Sequence, residues 1–325
     1  MSGGENETVD EPPVVVKVGG AKAVDPAGAV GDVAHLAANG RAVVVVHGGS
    51  TVVDETLERL GIEPEYVESA SGVTGRFTDA ETMEAFAMAM AGKLNTELTA
   101  EFRSAGVDAV GLSGVDGGLL AGPRKSAVRV VEDGTRKIRR GDHSGTIESV
   151  NADLLDDLLA DGYTPVVSPP MAGDEGDGEV TPVNADADRA AAAVAGALGA
   201  DLVLLTDVSG VYADPDDPET RIDAAATPDE LAAVEEAAEG FMGKKVMAAT
   251  EALEGGSGRV VIADANVRDP VVAALGGEGT VIERSALGGG DTDGDAADEG
   301  DAEGDAADEG DAEGDDAETE GGETA

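Results

Sequence analysis

Val14-Val15-Val16-Lys17-Val18-Gly19-Gly20 and Val43-Val44-Val45-Val46-His47-Gly48-Gly49-Ser50 are the two stretches on which the fold turns. Each is a β-branched apolar run that ends in a glycine pair. That is the pattern of a buried strand stopping at a tight turn before a helix. Glycine lets the backbone come close to a ligand, and adjacent N–H groups at a helix start attract anions. Two such turns in one domain point to a phosphate held from two sides. Lys17 adds a cation inside the first strand, where a charge is costly to bury without a partner.

Outward from these turns, strands are expected at 14–18, 42–46, 107–112, 164–168, 201–206, 259–263 and 280–282. Helices are expected at 27–39, 50–60, 93–105, 151–161, 185–198, 228–238 and 244–254. Thr78 and Glu81 form a capping box for a further helix running to Ala91. A hairpin covers 126–141, and Gly173 to Gly178 reads as an acidic loop. Strands alternating with helices predict an α/β fold with a mostly parallel sheet covered on both faces. Two lobes are expected, over 14–170 and 171–285, meeting near 168–180.

Composition excludes several classes of function. Among 325 residues there are 68 acidic and 21 basic side chains, for a net charge of −47. There is no cysteine, hence no disulfide and no Cys-ligated metal, and three histidines leave little for a His-based centre. No apolar run of about 18 residues suggests a membrane span. Met1 to Pro13 is polar and unlike a signal peptide, so a disordered N-terminus and a cytoplasmic location are expected. Residues 286–325 hold 17 of the carboxylates and no cation, including a ten-residue repeat at Gly294 to Glu303 and Gly304 to Glu313. With almost nothing to bury, this tail is expected to be disordered. The other carboxylates are scattered and lysine is rare, a surface suited to molar salt, as in halophilic archaea.

Neither GxxxxGK[ST] nor GxGxxG occurs, so no P-loop or Rossmann dinucleotide site is supported. Three later stretches fit a phosphate site: Val183-Asn184-Ala185-Asp186-Ala187-Asp188-Arg189, Leu204-Leu205-Thr206-Asp207-Val208-Ser209-Gly210-Val211-Tyr212 and Gly243-Lys244-Lys245-Val246-Met247. Taken in order with Lys17 to Gly20, His47 to Gly49 and the GLSG at Gly111 to Gly114, they resemble the amino-acid kinase family, and within it the acetylglutamate kinases. The resemblance implies a three-layer α/β/α sandwich, at least a homodimer, and ATP with Mg²⁺. Lys17 and Lys245 would flank the transferring phosphoryl, and Asp186 would pair with both. Gly19 and Gly20, with Gly49, would hold the phosphoryl through backbone N–H groups. Gly48, Gly49, Arg76 and Asn184 would hold the acceptor, and Thr206, Asp207 and Tyr212 the nucleotide. The acceptor is a carboxylate, which needs no general base; in-line positioning and charge neutralisation are the requirements.

Each feature has a plainer structural reading. A glycine pair after a strand is often only a turn, Asp186 could serve the helix start alone, and Lys244 and Lys245 could be solvated. Lys245 is chosen over Lys244 because the family lysine directly precedes an apolar residue, here Val246. His47 reads as structural.

Seven of the 21 cations fall within 124–140: Arg124, Lys125, Arg129, Arg136, Lys137, Arg139 and Arg140. Such an island in an acidic chain is either a hairpin facing the protein's own acids or a dock for an acidic partner. Nucleic acid is a poor partner, because the rest of the surface would repel it. Ile138 to Asn151 and Ser71 to Asp79 resemble one branch of the family, the LysZ type. That branch phosphorylates 2-aminoadipate or glutamate attached to a small acidic amino-group carrier protein, LysW. The resemblance makes the seven cations candidate carrier contacts. Many free acetylglutamate kinases have an Asn two residues before the Asn-Ala-Asp asparagine, where this chain has Pro182. A free N-acetylglutamate kinase and a non-catalytic amino-acid or nucleotide sensor on the same fold are the alternatives.

Overall fold

Both valine runs are strands in the computed structural model, which describes residues 11–19, 26–68, 74–132, 135–176 and 178–288. β1 (Val14–Val18), α1 (Pro26–Ala38), β2 (Val43–His47) and α2 (Ser50–Leu60) open the chain in the expected order. A small hairpin, β3 (Tyr66–Glu68) and β4 (Thr74–Arg76), precedes a helix entered at Asp79, whose carboxylate accepts from Thr82 N at 2.8 Å. Asp79 therefore caps this helix in place of Thr78, which is fully buried and engaged elsewhere. The expected break near 91–93 is absent. α3 (Ala80–Ala87) passes through a π-helical stretch, Met88–Leu94, into α4 (Asn95–Ser104).

Next come β5 (Ala109–Gly114), then β6 (Leu120–Glu132) and β7 (Thr135–Gly145), a hairpin longer than expected. β8 (Ser149–Val150), α5 (Ala152–Ala160), β9 (Thr164–Asp174) and β10 (Val180–Val183) follow. β9 runs six residues past its expected end and across the 170/171 lobe boundary. α6 (Ala187–Leu198) and β11 (Asp201–Thr206) lead to the short strands β12 (Val211–Tyr212), β13 (Arg221–Ile222) and β14 (Ala224–Ala225). The chain continues through α7 (Pro228–Ala237), α8 (Gly240–Gly255), β15 (Arg259–Asp264), α9 (Pro270–Leu275) and β16 (Thr280–Glu283). Helix α9 carries no amphipathic signal of its own; buried Asp32 of α1 accepts from Val271 N and Val272 N at 2.7 and 3.1 Å and caps it across the fold. At the ends, Glu11 pairs with Arg41 and Pro13 O accepts from Asp201 N, so these residues join the fold, as does the short turn Arg284–Leu287. Gly20, Ser71 to Val73 and the tail from 289 onward lie outside the described residues.

The main sheet runs β14-β16-β15-β11-β1-β2-β9-β6-β7, with β5 and β10 on β9 and β8 on β6; most pairs are parallel. Helices cover both faces in three layers. Val14, Val16, Val18, Val43 and Val45 pack against α1, α4 and α9. Val15, Val44 and Val46 pack on the other side, where α5, α6, α7 and α8 lie. Alternation along a strand settles two further side chains. Lys17 shares its face with Val15 and meets α6 and α8, whereas His47 shares its face with Val45 and meets α4.

Helices α6 and α8 approach closely. A Cβ built on Gly196 would stand 3.0 Å from the Gly255 backbone, so any side chain there would crowd the facing helix. Their facing residues are alanines, among them Ala191, Ala192, Ala195, Ala248, Ala249 and Ala252, all buried.

Candidate active site

β1, β2, β11 and β15 are parallel and in register, so their C-terminal ends gather Gly19, Gly48, Thr206 and Asp264 along one edge of the sheet. Ligand sites of open α/β sheets form at this edge. Here two lysines converge on one carboxylate. Lys17 Nζ lies 2.6 Å from Asp188 Oδ1, and Lys245 Nζ lies 2.9 Å from Asp188 Oδ2. All three are largely shielded from solvent, with side-chain exposures of 7, 12 and 13 % for Lys17, Asp188 and Lys245.

The electrostatics follow from that packing. Burial pushes the Asp188 carboxyl up, but the two ammonium groups outweigh burial and hold it at about 2. Lys245 is lowered from the usual lysine value, chiefly by burial and next by the Lys17 charge, against which Asp188 acts. The centre is thus one anion shared by two cations, with a surplus positive charge facing the strand ends.

The expected partner of both lysines was Asp186, and this is corrected: Asp188 takes that place. Asp186 is the N-cap of α6, its Oδ1 accepting from Asp188 N at 2.9 Å and Arg189 N at 3.1 Å. It borders a crevice of about 320 Å³ with Gly145, Thr146, Ala185 and Arg189. The signal that separates the two aspartates is helical phase. Residue 188 lies within α6 and shares a face with buried Ala191, Ala192 and Ala195, whereas residue 186 is the exposed N-cap ahead of the first turn. Lys245 likewise shares a face with Ala248, Ala249 and Ala252, while Lys244 points outward and donates to Thr74 O at 2.7 Å.

His47 is structural. Buried to 1 % exposure, it is lowered to about 4 by burial and is neutral at pH 7. Its partners set the tautomer: Asn95 Nδ2 donates to Nε2 at 3.1 Å, leaving Nδ1 to donate to Gly48 O at 3.3 Å. Asn95, which sequence reasoning missed, also donates to Val166 O at 2.8 Å and so ties β2 and β9 to α4. The N–H of Gly48 is spent on Val18 O at 2.9 Å, so the free N–H groups of this turn begin at Gly49, the N-cap of α2. Gly49 packs closely on Met90 and Leu94: a Cβ there would fall 2.5 Å from Met90 Sδ, so a side chain would push those two aside. In the GLSG stretch, Gly111 packs on Asn95 and Gly114 on Pro170 and Leu120.

Arg76 and Asn184 are both braced by the protein itself. Arg76 Nη2 donates to Asp54 Oδ1, Tyr66 Oη and Ser50 O at 2.6, 2.9 and 3.1 Å, while its buried Nε has no hydrogen-bond partner among the described residues. Asn184 Nδ2 donates to Thr78 Oγ1 at 3.0 Å, and its backbone bonds His143 O and Gly145 N. Buried Asp142 accepts from Thr78 N and Ser144 N, a brace that the sequence did not single out. Thr206 and Asp207 sit at the end of β11, where Thr206 Oγ1 donates to Asp207 Oδ1 at 3.2 Å, and half-buried Tyr212 lies on β12.

In the basic island, Arg124 is bonded to Glu175 at 2.6 Å and Arg139 to Glu65. Cross-strand pairs Ala127–Arg140, Arg129–Ile138 and Val131–Arg136 share one face of the β6–β7 hairpin; Val128–Arg139 and Val130–Lys137 share the other. Ile138 is 65 % exposed. No ion pair joins Lys125, Arg129, Arg136 or Arg140 to a described residue.

Fold and site together define a three-layer α/β/α sandwich of the kinase type, with a cationic centre at the strand ends. The amino acid kinase family model matches residues 12–264, and the chain belongs to that family. As a member of a kinase family it uses ATP. It is 44 % identical over 270 residues to a LysW-aminoadipate kinase of Deinococcus radiodurans, covering 83 % of this chain and 91 % of that one. A LysW-aminoadipate kinase of Thermus thermophilus is 42 % identical over 275 residues, 83 % and 99 % of the two chains. An acetylglutamate kinase of Methanopyrus kandleri is 43 % identical over 242 residues, 74 % and 90 %. Among solved structures, N-acetylglutamate synthase from Neisseria gonorrhoeae superposes with a TM-score of 0.65 at 24 % identity, a likeness of fold alone. That match covers 84 % of this chain and 59 % of the synthase chain. Among the described residues no helix is long and apolar enough to cross a membrane.

Proposed function

We propose that the protein transfers the γ-phosphoryl group of ATP to the side-chain carboxylate of glutamate or 2-aminoadipate, the amino nitrogen of which is joined to a small acidic carrier protein of the LysW kind. The product is an acyl phosphate, and the step belongs to arginine or lysine biosynthesis. The convergence of Lys17 and Lys245 on Asp188 at the strand ends carries the reading. A carboxylate oxygen attacks the γ-phosphorus, the bond to the β-phosphate oxygen breaks, and ADP leaves. Charge builds on the transferring group and on the leaving oxygen, and two ammonium groups held by one carboxylate meet that charge without reorganising. Gly49 and the first turn of α2 offer backbone N–H groups, with Gly19 directly after the end of the neighbouring strand β1. Arg76 and Asn184 lie on the acceptor side, and Thr206, Asp207 and Tyr212 on the nucleotide side.

Mg²⁺ fits as a companion of the nucleotide. Among the described residues no three metal-ligating side chains cluster, and the central carboxylate is already shared by two lysines. The triphosphate would hold the ion, which supplies further neutralisation.

The carrier reading rests on the hairpin face bearing Arg129, Arg136 and Arg140 around exposed Ile138, with Lys125 nearby. A cationic rim around an apolar centre suits a small acidic protein. The names of the Deinococcus and Thermus relatives agree with it.

Acyl-phosphate trapping with hydroxylamine tests the proposal. Hydroxamate is expected from carrier charged with glutamate or aminoadipate, and little from free N-acetylglutamate. Equal or faster turnover of free N-acetylglutamate would replace the carrier reading with that of an acetylglutamate kinase. No hydroxamate from any of these acceptors would overturn the transfer itself.

A further inference from the structure

Arg139 belongs by position to the basic hairpin, but its contacts run into the acceptor side of the protein. Its two terminal nitrogens fork onto the two carboxylate oxygens of Glu65, the second bond measuring 3.0 Å. The same guanidinium lies over the ring of Phe77, 4.1 Å from the centroid. Glu65 in turn accepts from Phe77 N through its backbone carbonyl at 2.9 Å. Arg139, Glu65 and Phe77 therefore close a ring of contacts between β7 and the segment flanking β3 and β4. The hydrogen bond from Arg139 holds the Glu65 carboxyl below the usual carboxylate range.

Phe77 is almost fully buried and stands between Arg76 and Thr78. On one side Arg76 reaches Ser50, Asp54 and Tyr66; on the other Thr78 bonds Asn184 and Asp142. A guanidinium clamped on Phe77 thus bears on both residues placed at the acceptor. It also helps hold the carboxyl of Asp79, the cap of α3, below its ordinary value, the bond from Thr82 N being the leading cause. Strand alternation separates Arg139 from the exposed arginines: it pairs with Val128 and shares a face with Lys137 and fully buried Val130.

We propose that Arg139 is a positioning residue for the acceptor, acting through Glu65 and Phe77 to hold residues 76–78. The proposal rests on the reading that Arg76 and Asn184 bind the acceptor. It separates Arg139 from the carrier contacts and joins the hairpin mechanically to the acceptor side. Forked hydrogen bonds and a stacked cation survive salt that screens distant charges, which suits an acidic protein.

A double-mutant cycle on Arg139 and Glu65 tests this. Steady-state kinetics of the full-length protein are measured on whichever acceptor the wild type phosphorylates, with Arg139→Gln, Glu65→Gln and the double variant. Each single change should raise the acceptor KM roughly tenfold, the scale of a lost charge-assisted hydrogen bond, with kcat and the ATP KM little changed. The double variant should be no worse than either single one. Arg139→Lys, which keeps the charge but not the fork, should not restore the acceptor KM. If Arg139 instead touched an acidic carrier, Glu65→Gln would leave the acceptor KM unchanged or lower it, because a competing carboxylate is removed. That result, or additive losses in the double variant, would overturn the proposal. A general loss of folded protein would lower kcat and leave KM alone, and would also count against it. Failure of the carrier reading would show separately, as a wild type that does not turn over the charged carrier.

Discussion

At the scale of single residues, the centre depends on one carboxylate neutralising two ammonium groups. Asp188→Asn keeps the shape and removes the charge, leaving Lys17 and Lys245 to repel each other in a shielded site. We expect kcat to fall roughly a hundredfold or more, on the scale of losing a preorganised electrostatic group. Asp186→Asn should retain most of the activity, because asparagine caps a helix about as well as aspartate. Kinetics of the two variants side by side check the assignment; the opposite ranking would return the role to Asp186. Choosing between these aspartates from the sequence was possible in principle, because the alanine face of α6 includes 188. Asn-Ala-Asp at 184–186 drew attention two residues too early, and a helix N-cap attracts an aspartate for reasons of its own.

At the scale of elements, the β6–β7 hairpin turns a count of cations into two surfaces. Seven basic residues were legible in the sequence as one island, but not the division among them. The division needs the partner of each strand residue and the acids that approach from other elements. Glu65 and Glu175 come from 74 and 51 residues away and claim Arg139 and Arg124. Under the carrier reading, Arg136→Glu with Arg140→Glu should raise the KM for carrier-linked acceptor by about tenfold or more and spare the ATP KM, even at ~1 M salt, where only contact pairs survive. An unchanged KM would remove this face as the dock. Tertiary demand also explains the helix start after Phe77. Thr78 and Asp79 are both good caps; Asn184 and Asp142 recruit Thr78, so Asp79 does the capping.

At the scale of the whole molecule, a net charge of −47 on 325 residues sets the terms of stability. Carboxylates spread over a surface repel one another, and the repulsion reaches farther in dilute salt. Raising KCl from about 0.1 M to 1 M shortens the screening length from about 10 Å to 3 Å. Thermal unfolding should therefore move upward by several degrees as KCl is added across this range. A midpoint that stays flat or falls would show that surface repulsion is not a main destabilising force here. The core is insensitive to this: two alanine- and valine-rich layers enclose a sheet with valines facing both ways.

The sequence by itself determined the order of most strands and helices, the glycine turn after β2 and the family resemblance, because these depend on local periodicity, on turn chemistry and on motifs read in order. Helix α9, Asp188 as the shared carboxylate and the inward contacts of Arg139 were decided only by the tertiary structure. Each depends on a partner far away in the chain: Asp32 for α9, Lys17 and Lys245 for Asp188, and Glu65 for Arg139. A buried charge is placed by the counter-charge that reaches it, and that distance is set by packing rather than by spacing along the chain.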